Sequence, residues 1–152
     1  MASLSGARPV EMIRAVINAS EQGPFTGGSF HDVIFDALDL NTAGGTPLNA
    51  ATGVFTVPAG MAGTWDIRSQ LYLFVMNPSA QYQMTIDING SLAAKTMITA
   101  DTSAHFFAAQ HMAELAAGDT IQATVKAGGS YDLTKIDGNS AYSWIDFKYY
   151  PR

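Results

Sequence analysis

Thr52–Met76 reads TGVFTVPAGMAGTWDIRSQLYLFVM, and the rest of the chain follows from it. Gly53–Val57 is a short apolar strand that runs into a Pro-Ala-Gly-Met-Ala-Gly connection. A longer strand begins near Thr64. Trp65, Ile67, Leu71, Leu73 and Val75 recur at period two and so share one face. Asp66, Arg68 and Gln70 occupy the other face. From Tyr72 that second face also turns apolar, through Phe74 and Met76. A strand of an antiparallel sheet needs only one apolar face to build its own core. The second apolar stretch therefore predicts cover from outside the subunit, and another copy of the chain is the expected cover.

The flanking segments have the same rhythm of short strands and turns. On the N-terminal side, Met1–Pro9 (MASLSGARP) reads as an arm. Val10–Ala19 fits helical and strand spacing in different parts, and its β-branched content favours a strand. Glu21–Ser29 reads as a loop because of Gly-Pro and Gly-Gly. Phe30–Leu40 reads as a strand or strand pair with a bend near Asp36, and Asn41–Ala51 as a second loop. On the C-terminal side, Gln81–Asn89 alternates cleanly, with Tyr82, Met84, Ile86 and Ile88 inward. Asn89-Gly90 then signals a tight turn. Ser91–Thr99 and Ala104–Leu115 follow as strands, although the Ala, Glu and Leu of the second would also suit a helix. Leu115–Asp119 is a turn, and Thr120–Ala127 a strand with Ile121, Ala123 and Val125 inward. Gly128–Ser140 reads as a loop. Ala141–Tyr150 closes the chain as a strand, with Ile145, Phe147 and Tyr149 on one face and Tyr142 and Trp144 on the other. The expected fold is all-β, a single-domain jelly-roll sandwich of about eight to ten antiparallel strands with a short N-terminal arm. Residues 1–20 make the arm and first strand, and residues 21–152 the head.

Composition narrows the function. The chain has 152 residues, of which 47% are hydrophobic and only 14% charged, well under the roughly 25% usual in soluble domains. So uncharged a surface favours burial in an assembly. Net charge is −5 with no Lys/Arg cluster, which argues against nucleic acid. With no cysteine, disulfides and thiolate chemistry are excluded. Met1–Val10 lacks the apolar core of a signal peptide, and no run reaches transmembrane length, so no membrane partner is expected.

The ordered series F-x-x-V-x-F-D, T-G-V-F-T-V-P-A-G, G-T-W-D-I with its apolar run, I-D-I-N-G, L-A-A-G-D and a closing aromatic strand resembles a known family. Between Phe30 and Tyr150 the chain is similar to the globular head of complement subcomponent C-one-q and its tumour-necrosis-factor-like relatives. The resemblance implies a ten-stranded jelly roll that assembles as a compact trimer, with apolar and aromatic residues along the threefold axis. Tyr72, Phe74, Met76, Tyr142 and Trp144 are the candidates by facing. The sequence contains no collagen Gly-X-Y run, so the family's animal roles are not carried over. Bacteriophage capsid decorations and fibre tips also use such trimers.

Sites for chemistry are sparse. His105 and His111 are six residues apart with no third ligand, and His31 stands alone, so no metal is expected. Asp101, Asp132 and Asp137 fall in expected loops. Asp137-Gly138-Asn139 is the best local calcium candidate, but it lacks the dense acidic spacing of a calcium loop and reads as a turn. Glu114 and Asp119 flank a hairpin end with no pocket signal. No G-x-S-x-G, nucleotide loop or H-E-x-x-H occurs. The expectation is a non-enzymatic, cofactor-free homotrimer on a virion. It would act as a capsid decoration or cement protein bound to a major capsid protein through an arm including Met1, Leu4, Arg8, Pro9 and Val10. The alternative is a receptor-binding head on a phage tail or head fibre, with specificity in loops such as Glu21–Ser29 and Gly128–Ser140.

Overall fold

A computed structural model describes residues 9–74, 76–129 and 133–152. Thirteen strands lie among them, with no helix: β1 (Glu11–Val16), β2 (Glu21–Thr26), β3 (His31–Asp32), β4 (Ala37–Asn41), β5 (Leu48–Asn49), β6 (Val54–Thr56), β7 (Gly63–Phe74), β8 (Gln81–Ile88), β9 (Ser91–Thr99), β10 (Ala104–Leu115), β11 (Thr120–Ala127), β12 (Leu133–Asp137) and β13 (Trp144–Tyr150). They form two antiparallel sheets packed face to face as one domain. The first runs β2-β12-β7-β13-β1-β4, with β10 also paired to β7. The second runs β5-β6-β11-β8-β9, with β3 paired to β11. The first strand, β1, is thus an integral strand between β13 and β4.

The long strand β7 is the spine of the seven-stranded sheet. Along one flank it pairs with β10 from Gly63 to Phe74. Its other flank is divided: β13 takes residues 64–70, and β12 takes Leu73 and Phe74. The period-two face of Trp65, Ile67, Leu71 and Leu73 is fully buried against the second sheet, and Val75 lies outside the described residues. The core it meets is aromatic. Phe55 of β6 stacks on Phe147 of β13 with ring centroids 3.9 Å apart and meets Trp65 edge-on at 5.6 Å. The Trp65 indole N–H donates to the Met61 carbonyl at 3.0 Å, and the Tyr149 hydroxyl donates to the Ala62 carbonyl at 3.3 Å. The connection before β7 is therefore tied down by the polar ends of two core aromatics.

Two segments differ from the expectations. Glu21–Thr26 is a strand, and so is Leu133–Asp137. The two pair with each other across a register shift between Thr134 and Ile136. Pro24, in a cis peptide with Gly23, is accommodated because β2 is an edge strand, where a missing N–H breaks no inner ladder. Glu21–Thr26 carries Gly and Pro, and Leu133–Asp137 is short and mostly polar, so neither looks like a strand alone; a non-local partner makes each one. The bend near Asp36 is present. Asp36 separates β3 from β4, its N–H donating to the Val16 carbonyl and its carboxylate accepting from Asn18 N–H.

The turn at Asn89-Gly90 is locked to the turn at Leu115–Asp119. Asn89 has a positive φ of 51°, and its side-chain amide donates to Asp119 at 3.0 Å. Its side-chain oxygen Oδ1 accepts from Thr120 N–H at 2.9 Å. Asp119 also accepts from Ala116 N–H at 2.8 Å. These bonds, that from Asn89 first and that from Ala116 second, hold the Asp119 carboxyl below its ordinary range. A depressed folded-state pKa contributes stability that is present above the unfolded value, about 3.9, and lost as pH falls through the folded value. We predict that Asp119→Asn flattens the acid limb of the stability–pH curve below about pH 4. Urea titrations at stepped pH test this; an unchanged acid limb would refute the assignment.

Candidate self-association face

The outer face of the seven-stranded sheet is read in rows across β10, β7, β13 and β1. Phe106 stands opposite Tyr72. The next row is Ala108, Gln70, Trp144 and Val16; then Gln110, Arg68, Asp146 and Arg14; then Met112, Asp66, Lys148 and Met12. One end of this face is aromatic, the middle is charged, and two exposed methionines flank the far row.

At the aromatic end three rings form a closed cluster. Tyr72 lies 4.6 Å from Phe106 and 5.5 Å from Tyr142, and Phe106 meets Tyr142 edge-on at 5.7 Å. Phe106 is 48% exposed and Tyr142 40%. Three mutually packed aromatics left open to water make a patch of the sort that interfaces cover.

The loop before β13 is built to hold Tyr142 there. Asn139 N–H donates to the Asp137 carboxylate at 2.7 Å, and the Asn139 side chain accepts from Ala141 N–H at 2.9 Å. The Asn139 carbonyl accepts from the N–H groups of both Tyr142 and Ser143. Ser143 is buried, and its hydroxyl accepts from Tyr72 N–H at 3.1 Å. Gln70 donates to the Tyr142 carbonyl at 3.0 Å. At Gly138 an added Cβ would come within 1.7 Å of the Ala19 carbonyl oxygen, so only glycine fits. The Asp137-Gly138-Asn139 sequence is therefore a positioning turn whose polar groups are used internally. Among the described residues no three His, Cys, Asp or Glu side chains converge on a point that could hold a metal. We predict that Asn139→Ala costs about 1 kcal/mol and speeds amide exchange at Tyr142 and Ser143 relative to the sheet. Equal protection in the variant and its parent would argue against this role.

The other sequence candidates divide. Phe74 is half-buried, with Lys135 Nζ 6.0 Å from its ring centroid. Trp144 is half-buried beneath Arg14, whose guanidinium carbon is 4.9 Å from its ring. Both lie on the outer sheet face but carry a cationic cap from their own subunit. Met76 does not belong with them. It is 3% exposed and packs in the subunit's own core. β7 ends at Phe74, so strand alternation no longer governs Met76, whose N–H bonds the Ser103 carbonyl instead. Pro9 and Val10 of the proposed arm are exposed, whereas Met1, Leu4 and Arg8 lie outside the described residues, as does Asp132. Phe106 went unnoticed in the sequence. Ala104–Leu115 contains adjacent Phe106 and Phe107 with no clear alternation around them, and only pairing to β7 shows that Phe107 is buried and Phe106 exposed.

The charged middle is satisfied within the subunit. Arg14 forms a two-pronged bond to Asp146, at 2.6 and 2.7 Å. That bond raises the Arg14 pKa above its ordinary value. Asp66, only 3% exposed, accepts from Arg68 Nε at 3.1 Å and from Gln110 at 2.9 Å. A stripe already paired at home offers an incoming copy little new energy. It does penalise misregistered packing that would break these pairs without replacing them.

No protein-family model matches the sequence, and no curated protein matches it. Solved structures do resemble the fold. Murine APRIL superposes with a TM-score of 0.69 at 13% identity, over 93% of this chain and 100% of that one. The Eiger TNF of S. frugiperda gives 0.66 at 15%, covering 94% of each chain. The globular domain of zebrafish complement 1qA gives 0.61 at 13%, over 95% and 100%. The fold is a jelly roll similar to those of these tumour-necrosis-factor and complement-1q structures. At such identity the likeness extends to the fold and not to any ligand or partner. Within this jelly roll, the Tyr72–Phe106–Tyr142 cluster lies on the outward side of the seven-stranded sheet, opposite the sandwich core.

Proposed function

We propose that this chain is a non-enzymatic structural protein that self-associates as a homotrimer through the outer face of its seven-stranded sheet. We further propose that the trimer serves as a decoration or cement protein on a phage capsid, with the major capsid protein as its partner. The observation that carries the self-association is the exposed cluster of Tyr72, Phe106 and Tyr142, which an isolated subunit leaves in water. The low charge of the chain supports the same reading, since a surface shared among copies needs fewer charges to stay soluble. The capsid role rests on the sequence: a head of this kind preceded by a small, polar arm. A trimer bridging several shell subunits would stabilise the shell by mass action, because it binds the assembled state and not the dispersed one.

Three measurements test this. Native mass measurement should give three copies per particle across the micromolar range, and a folded single subunit there would overturn the trimer. Imaging of virions carrying a labelled copy should place the label on the head, and a label at the tail would favour the fibre alternative. Deleting Met1–Pro9 should release folded trimers from shells, whereas undiminished occupancy would remove the arm from the mechanism.

A further inference from the structure

The opposite side of the sandwich carries a cleft that self-association would leave open. On the outer face of the six-stranded sheet, Phe30, Thr85, Asp87, Gly90 and Leu92 line a cavity of about 210 Å³. Phe30 is 49% exposed and Leu92 is also exposed, so the apolar walls face solvent. Thr85 points outward from β8 yet is buried, its hydroxyl 2.6 Å from that of Thr124 on β11. The two hydroxyls satisfy each other and make a rigid floor. Asp87, two residues further along β8, is half-buried, and its carboxylate has no hydrogen-bond or ion-pair partner among the described residues. A half-buried carboxylate without a partner, in the wall of an aromatic cleft, has acceptor capacity to spare.

We propose that this cleft binds one neutral sugar ring. The C–H face of a pyranose is apolar and suits Phe30 and Leu92, while its rim of hydroxyls supplies donors for Asp87 through charge-assisted bonds. The volume lies below the 300–1,000 Å³ typical of drug-sized ligands and suits a single ring. Charge decides against the other ligand classes. An anion would meet Asp87. A cation would meet Lys126, whose amine already sits 5.2 Å from the Phe30 ring centroid. It would also meet Lys95, which stands opposite Thr85 in the pairing of β9 with β8. A neutral polyol is repelled by none of these. The inference does not rest on the trimer, because the two faces lie on opposite sides of the sandwich.

Saturation-transfer NMR on the full chain with glucose, galactose, mannose and N-acetylglucosamine tests it, with methylammonium as the cationic probe. At least one sugar should bind saturably with a dissociation constant in the millimolar range, as befits a small ligand in an open cleft. Asp87→Asn, which keeps the shape and removes the charge, and Phe30→Ala should each weaken that sugar about tenfold or more. Tyr142→Ala, on the far face, should leave it unchanged. Saturable binding of none of the four sugars would overturn the proposal. So would sugar binding indifferent to both cleft substitutions, or saturable methylammonium binding lost in Asp87→Asn.

Discussion

Phe106→Asp is expected to yield a folded single subunit under conditions where the parent chain forms the proposed trimer. Phe106 is about half exposed and belongs to a three-ring cluster. Aromatic side chains carry about 150–250 Å², so each copy has on the order of 100 Å² of this ring still to bury. At about 25 cal/mol per Å² that is about 2.5 kcal/mol per copy, or about 7 kcal/mol over three. The loss alone weakens assembly about 10⁵-fold, and placing carboxylates near one another in a dry interface adds to it. Within the subunit the cost is small, about 1 kcal/mol, because only ring contacts to Tyr72 and Tyr142 are lost from a solvent-facing position. Sedimentation should therefore report dissociation while urea unfolding of the subunit changes little. Persistence of the trimer in this variant would move the interface elsewhere.

Phe55→Ala is expected to have the largest effect on subunit stability. Phe55 comes from the six-stranded sheet, and its ring lies between Phe147 and Trp65 of the seven-stranded one. Its side chain is fully buried, so truncation opens a cavity at the junction of the two layers. Losses of about 3–5 kcal/mol are usual for such a change. Against a total of about 5–15 kcal/mol, this removes from about a fifth to nearly all of the stability. The urea midpoint should fall with little change in slope. A loss under about 1 kcal/mol would mean that the sheets can close over the gap.

Much of the fold was legible because alternation is a local property. Trp65, Ile67, Leu71 and Leu73, then Tyr82, Met84 and Ile86, then Ile121, Ala123 and Val125, then Ile145, Phe147 and Tyr149 all recur at period two, and all are buried. Ala104–Leu115 is a strand despite its helical composition, because β7 offers it a full-length partner. The site was less legible. Tyr72 and Tyr142 were apparent as apolar residues on a face opposite the core. Phe106 was not, because its segment alternates weakly. Met76 was misplaced because alternation was carried past the end of the strand that sustains it.

By itself the sequence determined which residues form the inner faces of the sandwich, and where Asn89-Gly90 and Leu115–Asp119 turn the chain, since period and turn chemistry act over a few neighbours. Only the tertiary structure decided that Glu21–Thr26 and Leu133–Asp137 are strands, that Phe106 rather than Phe107 faces out, and that Asp137 and Asn139 serve to hold Tyr142 over Tyr72. Each of those depends on a partner far away in the chain, and pairing between distant segments leaves no trace in the local order of residues.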